Sequence, residues 1–181
     1  MVTFFSVIFL VFVIVVFFYS VFTLIGLIRA HGVPYVPLDK KQLAKINENI
    51  LLDKSDYVVD LGCGDGRVLR LFEKQGVEKL DGYEVNLSVC CQAWVKNLIK
   101  KSKVKIYHKN FNKVDLSKYN KVFCYLLPQY LGRIRKKLQR ELQGSTIISY
   151  AFEVPGWQAD KIIYTNKENK NLGRIFIYKI K

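Results

Sequence analysis

Charge is missing from the first part of this chain and metal-ligand spacing is missing from all of it. No Asp, Glu, Lys or Arg occurs between Val2 and Ile28. The four cysteines, Cys63, Cys90, Cys91 and Cys124, contain no Cys-x-x-Cys pair, and the two histidines, His31 and His108, are far apart. This argues against a zinc site, and no metal is expected. Cys90 and Cys91 fall in a helical pattern and Cys124 in an apolar strand, so the cysteines read as reduced core residues of a cytosolic compartment. Neither a repeat nor a second domain is visible, and 181 residues leave room for one domain plus a short appendage.

The uncharged segment is apolar almost throughout, with the run Phe9 to Phe18 at its centre. Thr3 to Ile28 exceeds the ~20 apolar residues that cross a ~30 Å hydrocarbon core, so a membrane span is expected. A cleaved signal peptide would be shorter, with a basic start and a small-residue cleavage site, and a small domain could not bury a helix apolar on every side. Arg29, Lys40, Lys41 and Lys45 follow the span and nothing basic precedes it. A single-pass cell-membrane protein with its C-terminal domain in the cytoplasm is therefore expected. All 29 basic and 15 acidic residues follow Ile28, so the net charge of +14 belongs to that domain. It suits lipid headgroups or nucleic acid, or is simply a solvated lysine-rich surface.

The chain's chemistry centres on Tyr57 to Arg67, YVVDLGCGDGR. A short apolar run ends in Asp60 and enters a loop with Gly62, Gly64 and Gly66; Val68, Leu69 and Phe72 then give a helical face. This predicts a buried strand, a tight turn and a helix, with glycines where backbone must lie against a ligand. No Lys-Ser or Lys-Thr follows Gly66, so a Walker A loop is not expected, and a strand ending in Asp60 would repel a pyrophosphate. An acidic, glycine-lined turn suits a cationic ligand better. Glu84 ends the next expected strand about 20 residues on, at the spacing of a ribose-binding carboxylate.

Pro34 and Pro37 bracket an extended connector, and Asp39 can cap a helix over Lys40 to Leu51. Asn86 can cap another through Lys100, with Val89, Cys90, Ala93, Trp94, Asn97 and Leu98 on its core side. Strands are expected at Val104 to His108, Val122 to Leu127 and Ser145 to Phe152, with a closing antiparallel pair at Ile162 to Tyr164 and Arg174 to Tyr178. Asn110 and Phe111, at a strand's carboxyl end, suit an adenine edge and face, or serve only a turn and the core. Tyr130 to Leu142 reads as an amphipathic helix whose basic face either lies on anionic lipid or is solvated.

Asp60 to Arg67 together with Gly82-Tyr83-Glu84-Val85-Asn86 resembles motif I and its acidic follower in the seven-strand, class I methyltransferases that use S-adenosylmethionine. With the apolar span, Val33-Pro34-Tyr35-Val36-Pro37, Val114-Asp115-Leu116-Ser117 and Pro155-Gly156-Trp157, the chain resembles the small protein-lysine methyltransferases that act on the ATP synthase c-subunit and the adenine nucleotide translocase, and their archaeal relatives. The resemblance implies a Rossmann-like, doubly wound α/β sheet of seven strands behind one transmembrane helix: span 2–28, connector 29–38, methyltransferase domain 39–181. It implies S-adenosylmethionine as cofactor, with Asp60 and Glu84 at its amino and ribose ends and Gly62, Cys63, Gly64 and Gly66 as close backbone. Asn110 and Phe111 are the expected adenine contacts. Tyr35, Gln129, Glu153 and Trp157 are the expected border of an apolar channel for a lysine ε-amine, with Glu153 orienting the amine or taking its proton. After the fourth strand the chain has Pro128-Gln129 instead of the Asp- or Asn-Pro-Pro-aromatic motif of many amino-group methyltransferases, which disfavours nucleobase methylation. The expected partners are membrane lipid, through the span, and a protein lysine at the membrane. RNA, a small membrane-associated molecule, or cofactor binding without catalysis are the alternatives.

Overall fold

The computed structural model describes residues 2–29, 35–166, 169 and 173–181. His31 and the connector's Gly32, Val33 and Pro34 lie outside them. Helix α1, Val2–Arg29, has 28 residues and is about 42 Å long at 1.5 Å per residue. None of its side chains from Phe4 to Val21 is buried, so it is not a core helix, and its length and composition suffice to cross a bilayer. Inside this stretch the Ser20 hydroxyl donates to the Val16 carbonyl, 2.8 Å away, so its polar group is satisfied within the helix.

The rest is a sheet between helices. Asp39 caps α2, Lys40–Asn49: its carboxylate accepts from Gln42 N–H, and the Gln42 side chain accepts from Asp39 N–H. This reciprocal capping box satisfies two otherwise orphaned donors and sets where the helix starts. Then follow β1 (Tyr57–Leu61), α3 (Arg67–Lys74), β2 (Lys79–Glu84), α4 (Leu87–Lys100), β3 (Lys105–His108), a 3-10 turn (Phe111–Lys113), β4 (Lys121–Cys124), α5 (Pro128–Glu141), β5 (Thr146–Tyr150), β6 (Lys161–Tyr164) and β7 (Arg174–Lys179). The strand order is β3-β2-β1-β4-β5-β7-β6, parallel from β3 to β5, with β7 antiparallel to β5 and β6. Short apolar runs such as β1 suit such a sheet because helices cover both faces. One core gathers Ile46, Val58, Leu69, Phe72, Cys90 and Ala93 beneath α2, α3 and α4. The other gathers Val59, Val122, Leu131, Leu138, Ile147 and Phe176 beneath α5.

Four expectations need correcting. The fourth strand stops at Cys124, not Leu127, because β1 ends at Leu61 and β4 has no ladder partner on that side beyond it. Tyr125, Leu126 and Leu127 are thereby released to line a cavity. Helix α4 caps at Asn86 as expected, but Trp94 and Leu98 are not core residues. Val89, Cys90, Ala93 and Asn97 take the inner face, and one residue further round places Trp94 on the flank, where its indole N–H donates to the Ile106 carbonyl at 3.0 Å. Cys91 is exposed, whereas Cys63, Cys90 and Cys124 are buried thiols. Burial, with Asp60, Glu84 and Cys90 nearby, pushes the Cys63 thiol well up, and burial first of all pushes Cys90 and Cys124 up to about 12. These three therefore stay protonated and unreactive. Finally, the basic face of α5 is partly engaged within the fold: Arg135 donates to the Pro155 carbonyl, Lys137 to the Val114 carbonyl and Glu141, and Arg140 to Glu141.

Candidate active site

The loop after β1 is pinned to β2 before it meets any ligand. Gly62 N–H and Cys63 N–H both donate to the Tyr83 carbonyl, at 2.9 and 3.1 Å. A Cβ on Gly82 of β2 would lie 2.7 Å from both Cys63 Sγ and Leu69 Cδ1, so the missing side chain lets the loop settle against the strand. Gly62, Gly64 and Gly66 have φ of 78°, 55° and 76°, the left-handed region that glycine occupies without strain. Gly64 N–H donates to Glu84 Oε2 at 3.1 Å, while Oε1 accepts from Val85 and Asn86 N–H at 2.9 Å each. Three backbone donors thus orient the carboxylate at the end of β2.

Asp65 and Arg67 form a second device, one that the motif alone does not assign. Arg67 Nε and Nη2 clasp the Asp65 carboxylate at 2.8 Å each, and Lys96 from α4 reaches it at 2.6 Å. Burial pushes the Asp65 pKa up, but the hydrogen bonds and charges of Arg67 and Lys96 outweigh it and hold the carboxyl well below the usual range. Arg67 also donates to the Leu38 carbonyl at 2.5 Å and to the Tyr35 hydroxyl at 3.3 Å, tying the end of the connector to the loop. Burial, then Asp65, raises Tyr35 to about 12, so its phenol is neutral at physiological pH and serves as a wall, not as a base.

The result is a cavity of about 260 Å³ at the carboxyl ends of β1, β2 and β4, where the strand order reverses and open α/β sheets bind ligands. Its lining joins Asp60, Glu84 and the Gly62 to Gly64 segment to the rings of Tyr35, Tyr125, Tyr130 and Phe152, and Tyr35 lies directly against Gly64. Asp60 is only 3% exposed, and burial, then the Glu84 and Asp65 charges, raises its pKa well above the carboxylate range. A cation beside it would restore the charge. Two carboxylates beside a glycine turn with room for backbone contact fit a cationic nucleoside such as S-adenosylmethionine.

Of the residues singled out in the sequence, Tyr35, Asp60, Gly62, Cys63, Gly64, Glu84 and Phe111 line this cavity together. Gly66, Asn110, Gln129, Glu153 and Trp157 are outside its lining. Gly66 is the left-handed N-cap of α3, packed toward Arg70 and Ile106. The Asn110 side chain caps the 3-10 turn by accepting from Asn112 N–H at 2.9 Å. Gln129 is exposed in the first turn of α5 and Glu153 is exposed after β5, while Trp157 packs on Tyr178 with ring centroids 5.7 Å apart. Sequence reasoning misses Tyr125, Tyr130 and Phe152. Tyr125 hides within an apolar run that reads as strand, although the Pro128 helix start marks where that run has to turn.

Strand order, reversed last strand and acidic glycine turn together define a class I, S-adenosylmethionine-dependent methyltransferase. Solved structures agree on the fold: an RNA methyltransferase from Salinibacter ruber in complex with S-adenosyl-L-homocysteine superposes with a TM-score of 0.70 at 24% identity, covering 80% of this chain and 94% of that one. Residues 60–161 match the model of the ANTKMT methyltransferase domain, and the chain belongs to that family. A protein-lysine N-methyltransferase of Saccharolobus islandicus is 33% identical over 82% of this chain and 94% of its own length. The Xenopus laevis ATP synthase C-subunit lysine N-methyltransferase is 31% identical over 75% of this chain, and the mouse adenine nucleotide translocase lysine N-methyltransferase 29% identical over 72%. The chain spans only 60% and 58% of the lengths of these last two.

Two consequences for cofactor binding follow. A Cβ at Gly64 would overlap Tyr35 Cε2, at a φ that L-residues rarely adopt. Gly64→Ala is expected to weaken S-adenosylmethionine binding tenfold or more, from ~1–3 kcal/mol of backbone strain plus displacement of Tyr35. Calorimetry should find Gly132→Ala unaffected, because the nearest atom to a Cβ there is 3.7 Å away. The raised pKa of Asp60 gives a pH dependence: the cationic cofactor favours ionised Asp60, so binding releases a proton. Affinity should rise with pH, by up to about tenfold per unit, and level off above the raised pKa. The difference between wild type and Asp60→Asn isolates this from the cofactor's own amine; parallel profiles would refute it.

Proposed function

We propose that the protein is a membrane-anchored protein-lysine N-methyltransferase acting on ε-amines presented at the membrane. The observation that carries this reading is one cavity whose lining joins the carboxylates of Asp60 and Glu84 and a glycine turn to the rings of Tyr35, Tyr125, Tyr130 and Phe152. The relatives' names support the lysine substrate. When bound, S-adenosylmethionine supplies an electrophilic methyl on a sulfonium; the amine forms the new N–C bond as the S–C bond breaks, leaving S-adenosylhomocysteine. The chain's part is to hold a neutral amine in line. A lysine with pKa ~10.4 costs roughly 4 to 5 kcal/mol to deprotonate at pH 7, and desolvation in an aromatic channel lowers that pKa. These half-buried rings supply the desolvation, and the proton leaves toward solvent. Gln129, Glu153 and Trp157 are assigned to the outer approach, with Glu153 orienting the incoming ammonium.

Helix α1 supports a single-pass location with the domain on the cytoplasmic side. Five residues separate Arg29 from Tyr35, six steps along the chain with a reach of at most about 21 Å, so a cavity walled by Tyr35 stays near the end of the span. A +14 chain repels cationic targets at long range, and anchoring offsets this by effective concentration. That same charge favours a second reading, methylation of RNA. Purified protein incubated with membranes and labelled S-adenosylmethionine, followed by nuclease treatment and mapping of the modified residue, tests the choice. Nuclease-resistant label on lysine is expected; nuclease-sensitive label would replace this reading with the second.

A further inference from the structure

Helix α4 has two apolar faces, and the domain uses only one of them. Val89, Cys90, Ala93 and Asn97 are buried against the sheet. Cys91, Trp94, Val95, Leu98 and Ile99 repeat at the spacing of a second helical stripe and face outward. Trp94 is 42% exposed, Val95 55%, Leu98 81% and Ile99 74%, with α1 in place. An isolated exposed leucine needs no explanation, but a continuous stripe along one helix does.

The surroundings indicate what covers it. From Val85 to Val114 the chain contains seven lysines and no aspartate or glutamate. Lys100, Lys101, Lys103 and Lys105 are exposed around the C-terminal end of the stripe. An apolar stripe with a lysine rim and a tryptophan on its flank has the composition of a helix lying in a membrane interface. α4 also touches α1, the helix able to span a bilayer. The basic face of α5 is the weaker candidate, since three of its cations already bind acceptors inside the fold.

We infer that the outer face of α4 docks the catalytic domain onto an anionic phospholipid bilayer, with Val95, Leu98 and Ile99 in the acyl-headgroup boundary and the lysines on lipid phosphates. Asn86, the cap of α4, lines the cavity, and Leu98 lies 12 residues further along the helix, about 18 Å away, so the docked stripe is separate from the cavity lining. This goes beyond lysine specificity and does not depend on it.

The test uses the full chain in nanodiscs of phosphatidylcholine with or without phosphatidylglycerol, prepared with plain or brominated acyl chains. Brominated lipid should quench a tryptophan component that Trp94→Phe removes. Omitting phosphatidylglycerol, or introducing Leu98→Glu with Ile99→Glu, should reduce that quenching at least about twofold. S-adenosylhomocysteine binding should be unchanged in the double variant, which also verifies its fold. Three results would overturn the inference: equal Trp94 emission in plain and brominated lipid, quenching indifferent to the double variant, or a double variant that converts a dimer to a monomer, which would assign the face to a second copy. If the double variant does not fold, the Trp94→Phe comparison still decides.

Discussion

Glu84→Ala is expected to lower the affinity for S-adenosylmethionine by about 100-fold, if its carboxylate accepts from two ribose hydroxyls worth ~1.5 kcal/mol each. Glu84 is preorganised for that task, because Gly64, Val85 and Asn86 N–H already fix both its oxygens. The alanine variant leaves these three donors without their acceptor and loosens the loop holding Gly62 and Cys63. Glu84→Gln keeps one acceptor oxygen and the side-chain shape, so its loss should be smaller, about tenfold. Calorimetry with S-adenosylhomocysteine checks both, with circular dichroism confirming the fold. Unchanged affinity in the alanine variant would remove the ribose assignment and with it the reading of Asp60 and Glu84 as a cofactor site.

Deleting residues 1–28 is expected to leave cofactor affinity unchanged and to reduce methylation of membrane-resident targets by about 100-fold or more, the usual gain from linking two partners on one surface. A soluble lysine peptide should be methylated equally by both forms. None of the Phe4 to Val21 side chains is buried, so the deletion removes no core from the domain. The peptide comparison separates loss of presentation from loss of the domain. Equal activity on membrane targets would mean that α1 does not serve substrate access, while leaving the chemistry of the cavity as described.

These two effects draw on features legible to different degrees in the chain. The glycine turn, Asp60 and Glu84 can be assigned because their requirements are local: backbone without Cβ, a strand ending in a carboxylate, and a fixed spacing to the next strand. The caps Asp39 and Asn86 are legible for the same reason, since each satisfies N–H groups within three residues of itself. The second apolar stripe of α4 is not. Periodicity marks a residue as apolar and leaves open which of two faces meets the sheet, so a reading by periodicity turns Trp94 and Leu98 inward.

The amino-acid order alone therefore determined the motif loop, the helix starts capped by Asp39 and Asn86, the order of the strands along the chain and the length of the apolar helix, while α5 starts at Pro128 and not at the expected Tyr130. Tertiary structure alone decided that Tyr125, Tyr130 and Phe152 share one cavity with Tyr35, that Arg67 ties Leu38 to Asp65, and that Gln129, Glu153 and Trp157 stand back from the cavity. The physical reason is range. Backbone conformation and capping are satisfied by near neighbours, whereas a cavity wall is made by residues far apart in sequence, brought together only when the ladders of β1 and β4 run out at the same edge.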